Sequence, residues 1–309
     1  MISGAEALEF FPIVAFFLFG LVFGSFLNVC IYRMPRGLSV VHPRSACPAC
    51  GRPIAGYDNI PVVSWLLLRG RCRHCSAPIS PRYAGVELLT GFFFAFAWHH
   101  SGGSMPEAVK DCVFCFLLIG LIFTDAETQL LPDLLTKPGI AVGLLFSLVV
   151  ELSGPAQMLI PAGRLNWRIL SLVNSLAGAF LGGGFILGVA LLYEAWRGVE
   201  GMGMGDVKLM ALVGAFLGAE MTLLVLILGS ALGSLFGMSL MIVVWRKRLA
   251  RRRRRRLEAP ATARAKAWNS ARLIYRNFEI PFGVFLGTAA IFAAFWGWPL
   301  VHWYWHLYR

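Results

Sequence analysis

Apolar runs approaching the roughly 20 residues needed to cross a hydrocarbon core recur along the whole sequence, beginning with PIVAFFLFGLVFGSFLNVCIY from Pro12. Such a chain has lipid as its solvent, and there every backbone group must find its partner inside the protein, so the spanning elements are helices. The composition agrees: 58% of residues are hydrophobic and 14% charged. Spans are expected near 11–32, 84–100, 107–124, 137–151, 169–193, 207–221, 223–245 and 281–306. The predicted fold class is therefore an all-α polytopic membrane protein of about eight transmembrane helices. The first stretch has Glu6 and Glu9 before it and its basic residues after it, without a small-residue cleavage site, and reads as a retained helix. The Gly-rich stretch before the sixth span could instead form a broken or re-entrant helix lining a cavity.

A net charge of +12 raises the question of nucleic acid, which the placement of the charges answers. If the loops after spans one, three, five and seven face the cytoplasm, they hold 24 of the 28 Lys and Arg residues. Lys110, Arg164, Arg168 and Arg309 are left on the other side. This asymmetry is the positive-inside pattern of a membrane protein, and no nucleic-acid partner is expected. The run Arg251 to Arg256 suits anionic lipid headgroups.

Two segments lie outside the spans, residues 33–83 and 246–280, and only the first is expected to be folded. It carries Cys47-Pro-Ala-Cys50 and Cys72-Arg-His-Cys75, with 21 residues between the inner cysteines. Two such knuckles can offer four thiolates in a tetrahedron, the arrangement of a structural zinc site. A segment this short gains its fold from the metal. A pair of disulfides is the alternative, disfavoured by the reducing cytoplasm. His74 is left out because four thiolates complete the shell. Cys30, Cys112 and Cys115 sit in apolar runs and read as packing.

Acidic residues at membrane depth are costly and so are candidates for function. One group is Thr124-Asp125-Ala126-Glu127, followed by Leu131-Pro132-Asp133; the other is Gly201-Met202-Gly203-Met204-Gly205-Asp206-Val207-Lys208. Two carboxylates brought close together share a proton, so one can activate water while the other polarises a carbonyl. For either acid alone, a helix cap or an ion pair with Lys208 or a loop arginine is the plainer role. Glu127 and Asp133 are reserves for the first acid. Gly203 and Gly205 would let an extended peptide approach the backbone, and Lys208 either anchors its helix at the interface or tunes Asp206.

Together these motifs resemble the bacterial type IV prepilin leader peptidases. The likeness is carried by GSFLNVCIYRMPRG from Gly24, by the four-cysteine segment from Cys47 to Tyr83, and by VELLTG from Val86. FTDAETQLLPD from Phe123, EGMGMGDVKLM from Glu200 and IPFGVFLG from Ile280 complete it. The resemblance implies an aspartic endopeptidase of the bacterial inner membrane that cuts the basic leader of type IV prepilins or pseudopilins after a Gly, at the cytoplasmic face. Asp125 and Asp206 are its implied catalytic pair. Relatives with the large four-cysteine loop are also thought to methylate the new N-terminal amine with S-adenosylmethionine. Glu127 stands where the family has its usual second acid, and the arginine-rich stretch is longer than typical.

The implied organisation is a first helix (1–32), a zinc-binding loop associated with methyl transfer (33–83), and a peptidase core (84–245). A basic loop (246–280) and a last helix (281–309) follow. A non-enzymatic transporter or scaffold, with the acids lining a cation path, is the competing reading; the acids at one face and the lack of an inverted repeat speak against it.

Overall fold

A computed structural model of the chain describes residues 4–154, 166–198, 203–254, 260–276 and 280–307. Arg164, Glu200, Gly201, Met202, Arg255, Arg256 and Arg309, used above, lie outside the described residues. Among those described, the chain is helical, and its only extended pairings are the isolated bridges Ala46 to Pro53 and Arg71 to Pro78. The helices are α1 (Gly4–Arg33), α2 (Val63–Leu67), α3 (Arg82–His100), α4 (Met105–Thr128), α5 (Asp133–Phe146), α6 (Trp167–Arg197), α7 (Met204–Arg254), α8 (Pro260–Arg276) and α9 (Phe282–His306).

Four stretches, Phe10–Arg36, Trp167–Arg197, Met204–Arg252 and Phe282–His306, are long and apolar enough to cross a membrane by length and composition. The remaining expected spans are helical too, but α5 has only 14 residues and α4 carries Glu107, Lys110, Asp111, Asp125 and Glu127.

Lipid gives little hydrophobic drive for helices to pair, so close packing of small residues takes its place. A methyl group on Gly178 of α6 would meet the Gly214 carbonyl of α7 and come within 2.6 Å of the Gly218 carbonyl carbon. The Ser175 hydroxyl donates to the Ala215 carbonyl across the same seam at 2.6 Å. α1 meets α3 in the same way: a methyl on Gly20 would lie 2.6 Å from the Gly91 Cα, and one on Gly24 2.7 Å from the Glu87 Cα. This contact joins two of the sequence blocks noted above. α4 runs through the core, with Phe114, Cys115, Leu118, Ile119 and Leu121 buried. Outward-facing Phe19, Phe180, Leu192 and Ile227 present apolar surface suited to lipid.

Two expectations are corrected. The break between the sixth and seventh spans, placed near 221–223, falls at Gly218, where φ is 77° and ψ 177°. That region of backbone space is essentially confined to glycine, and the missing side chain leaves room for Leu152. The 246–280 stretch is helical where it is described. α7 runs on to Arg254 and α8 packs back against it, with Leu249, Ala267 and Trp245 clustered between them. Trp245 and Trp268 meet edge to face with centroids 6.4 Å apart. Alanines at 265, 267 and 271 supply the helix propensity that the charge run obscures.

Close packing at Gly178 is testable by melting the detergent-purified protein. Gly178→Ala is expected to destabilise by about 1–3 kcal/mol, the usual cost of overpacking. Gly184→Ala and Gly188→Ala, on the same helix with open space around them, should melt no lower than wild type. Equal losses at all three positions would mean that the seam does not depend on backbone contact.

Candidate active site

The end of α4 is shaped by its own side chains. Thr124 donates back to the Gly120 carbonyl at 2.9 Å, and Gln129 caps the helix in the left-handed conformation with its N–H on the Asp125 carbonyl. Pro132 then holds the chain extended before α5. Asp125 is 5% exposed, and its Oδ2 accepts the Val284 amide at 2.9 Å. The Gly283 amide is a second donor to this carboxylate. Asp125 therefore fills the unsatisfied N-terminal amides of α9, where a carboxylate also meets the positive end of the helix dipole. Gly283 leaves room for this carboxylate: a methyl there would lie 2.9 Å from Asp125 Oδ2, so the side chain would have to shift.

Asp206 lies in the first turn of α7, its amide bonded to the Gly203 carbonyl at 3.1 Å. Leu131 joins the two places. Its side chain lies 3.1 Å from where a methyl on Gly205 would stand and 3.3 Å from the corresponding point on Gly283. The charge of Asp125 acts on Asp206, so the carboxylates share one neighbourhood. Gly203 is exposed, and a methyl added to it would meet nothing closer than the Gly205 nitrogen at 3.9 Å.

The other acids are occupied. Asp133 takes Lys208 Nζ at 2.5 Å and Lys137 Nζ at 2.6 Å, and the two lysines, Lys137 first, hold its carboxyl below the usual range. Lys208 thus serves Asp133 rather than Asp206. Glu127 pairs with Arg82, whose guanidinium also covers the Tyr83 ring at 4.8 Å. Among the described residues no cation lies in ion-pair range of Asp125 or Asp206.

The four cysteines converge, with all of their Sγ atoms within 4.8 Å of one another and Cys47 and Cys75 sulfurs 3.8 Å apart. Tetrahedral thiolates at a zinc bond length of about 2.3 Å would be about 3.8 Å apart, so the donor set fits zinc. CPACGRP and CRHCSAP build the same turn twice. Cys47 N–H bonds the Arg52 carbonyl and Cys72 N–H the Ala77 carbonyl, both at 2.9 Å. Gly51 and Ser76 take positive φ after each pair. Amides of Cys75 and His74 pull the Cys72 thiol down to about 6, favouring the thiolate that binds metal. The His74 ring faces Arg52 at 3.3 Å instead of the cysteines.

Four participants carry little or no signal in the sequence. The Gly283 and Val284 amides carry no side-chain signature, although a Pro-Phe-Gly turn before an apolar run marks a helix start. Glu87, 8% exposed, accepts the Val62 amide at 2.7 Å and ties the cysteine segment to α3. Arg82 reads in sequence as one more basic residue of the loop, and its pairing with Glu127 emerges only in the fold.

Residues 18–101 match the bacterial peptidase A24 N-terminal domain and residues 112–238 the type IV leader peptidase family. A prepilin leader peptidase/N-methyltransferase of Aeromonas hydrophila is 34% identical over 313 residues, spanning 93% of this chain and 92% of the relative. The protein so named from Myxococcus xanthus is 40% identical over 243 residues, covering 77% of this chain and 66% of its own. One from Klebsiella pneumoniae is 39% identical over 208 residues, 65% and 83% of the two chains. No solved structure matches the chain significantly. With relatives aligned over nearly its whole length and both family regions present in order, this chain belongs to the type IV leader peptidase family.

Proposed function

We propose that this protein removes the leader of type IV prepilins or pseudopilins with Asp125 and Asp206, and methylates the N terminus so released. One observation carries the choice of residues. These two aspartates adjoin at helix ends, joined by Leu131, while Asp133 and Glu127 are held by cations. A carboxylate locked to a lysine or arginine is a poor proton carrier, whereas an unpaired couple can hold one proton between them.

In the reaction, one carboxylate takes a proton from water as its oxygen attacks the scissile carbonyl, and the protonated partner donates to the carbonyl oxygen. The tetrahedral species collapses with the C–N bond broken and the leaving amine protonated. The Val284 amide holds Asp125 Oδ2, and the Gly283 amide adds a second donor to the same carboxylate. Gly203 and Gly205 keep side chains away from an incoming extended peptide.

The eight helical stretches are read as eight spans, oriented by their basic loops. Both aspartates then lie at the cytoplasmic face, where a basic leader meets an apolar pilin helix, with residues 84–245 as the peptidase core. The α7–α8 hairpin, which carries Arg246, Lys247 and Arg251 on its α7 arm, faces anionic lipid. Cys47, Cys50, Cys72 and Cys75 would hold zinc as a structural ion that folds residues 33–83. Methyl transfer from S-adenosylmethionine rests on the family relationship and on the presence of this segment; no residue here is assigned to it.

Cleavage of a prepilin in detergent tests the pair and also separates a peptidase from a transporter, which needs two compartments. Asp125→Asn and Asp206→Asn should each lower the rate at least about 10²–10⁴-fold, the range of acid–base catalysis. Glu127→Gln and Asp133→Asn should retain cleavage. Activity surviving in either of the first two would reject the dyad.

Elemental analysis of the purified protein should find one zinc per chain, lost in Cys72→Ser. Retained metal in that variant would remove the four-thiolate assignment.

A further inference from the structure

The cysteine segment exposes apolar surface that its own fold leaves uncovered. Tyr57 is 67% exposed, Ile60 50%, Val63 47%, Leu66 61% and Leu67 78%. The last three belong to α2, a helix of five residues. Val62, just before it, is the centre of a γ-turn: Val63 N–H reaches the Pro61 carbonyl at 2.6 Å, and Val62 takes φ 61° and ψ −49°. For a β-branched residue that backbone is strained and persists only where its surroundings hold it.

What holds it is Glu87. Its carboxylate accepts the Val62 amide at 2.7 Å and is also approached by the Ser25 side chain. Glu87 lies five residues into α3, about 7.5 Å along the helix from Arg82 at 1.5 Å per residue. Ser25 lies eight residues before the end of α1, about 12 Å from Arg33 on the same rise. The strained turn is therefore tied to side chains that lie within α1 and α3 and not at their ends. Trp65, within α2, donates its indole N–H to the Ile79 carbonyl at 3.1 Å and stacks beneath Gly70, so the opposite face carrying Leu66 and Leu67 is turned outward. Exposed Arg69 and Arg71 follow immediately.

We infer that α2 is an interfacial anchor, with Leu66, Leu67 and Val63 sunk into the cytoplasmic leaflet and Arg69 and Arg71 among anionic headgroups. Apolar side chains at the acyl boundary with arginines beside them are the pattern of a helix lying in the membrane surface. The bond from Glu87 to Val62 holds α2 at that depth. The inference rests on reading α1 and α3 as membrane spans.

Photocrosslinking tests it on the full-length protein in vesicles of phosphatidylethanolamine and phosphatidylglycerol. A benzophenone amino acid replaces Leu67 in one variant, Phe19 of α1 in a second and Arg52, on the first cysteine knuckle, in a third; adducts are read by mass. Phospholipid adducts at 67 and 19 but not at 52, unchanged when prepilin is added, are the expected result. An adduct at 67 to prepilin, to a second copy of the chain, or to nothing while position 19 still captures lipid would overturn the anchor and leave the spans intact. No lipid at position 19 would overturn the membrane placement on which the anchor depends.

Discussion

Helices in a bilayer cannot rely on water to push them together, and this chain answers that constraint with glycine. Gly178 against Gly214 and Gly20 against Gly91 bring backbones into contact, where dispersion and short polar bonds such as Ser175 to Ala215 take over from hydrophobic drive. The same device recurs at the site. Gly283 and Gly205 let Leu131 and Asp125 approach helix starts where an added methyl would press on them.

The acids show how environment, and not residue type, separates roles. Four carboxylates occur within two short stretches, and their partners sort them. Asp133 gathers two lysines, one of them 75 residues away, and Glu127 gathers Arg82, leaving Asp125 to backbone amides and Asp206 to Asp125. An ion pair fixes a charge, whereas amide donors orient a carboxylate without supplying a counter-charge to trap its proton.

Much of this was legible beforehand, because it depends on local pattern. Apolar runs marked the helices, and C-x-x-C spacing marked the metal donors. Partner choice across the fold was not legible, since nothing near Lys208 in sequence distinguishes Asp133 from Asp206. A break near 221–223 was legible but its exact place was not: Gly214, Gly218, Gly229 and Gly233 look alike in sequence, and it is Gly218, beside Leu152, that takes the non-helical backbone. The α7–α8 hairpin is masked in the sequence by a charge density that suggests a solvated loop, while the alternate alanines of α8 favour helix.

Asp125 depends on an amide 159 residues further along the chain, and that separation has a consequence for biosynthesis. At about 5–20 residues per second, α4 is made well before the residues that orient its carboxylate exist. Throughout that interval the growing chain carries an acid without its amide donors. The orientation of that carboxylate is thus completed only when α9 arrives.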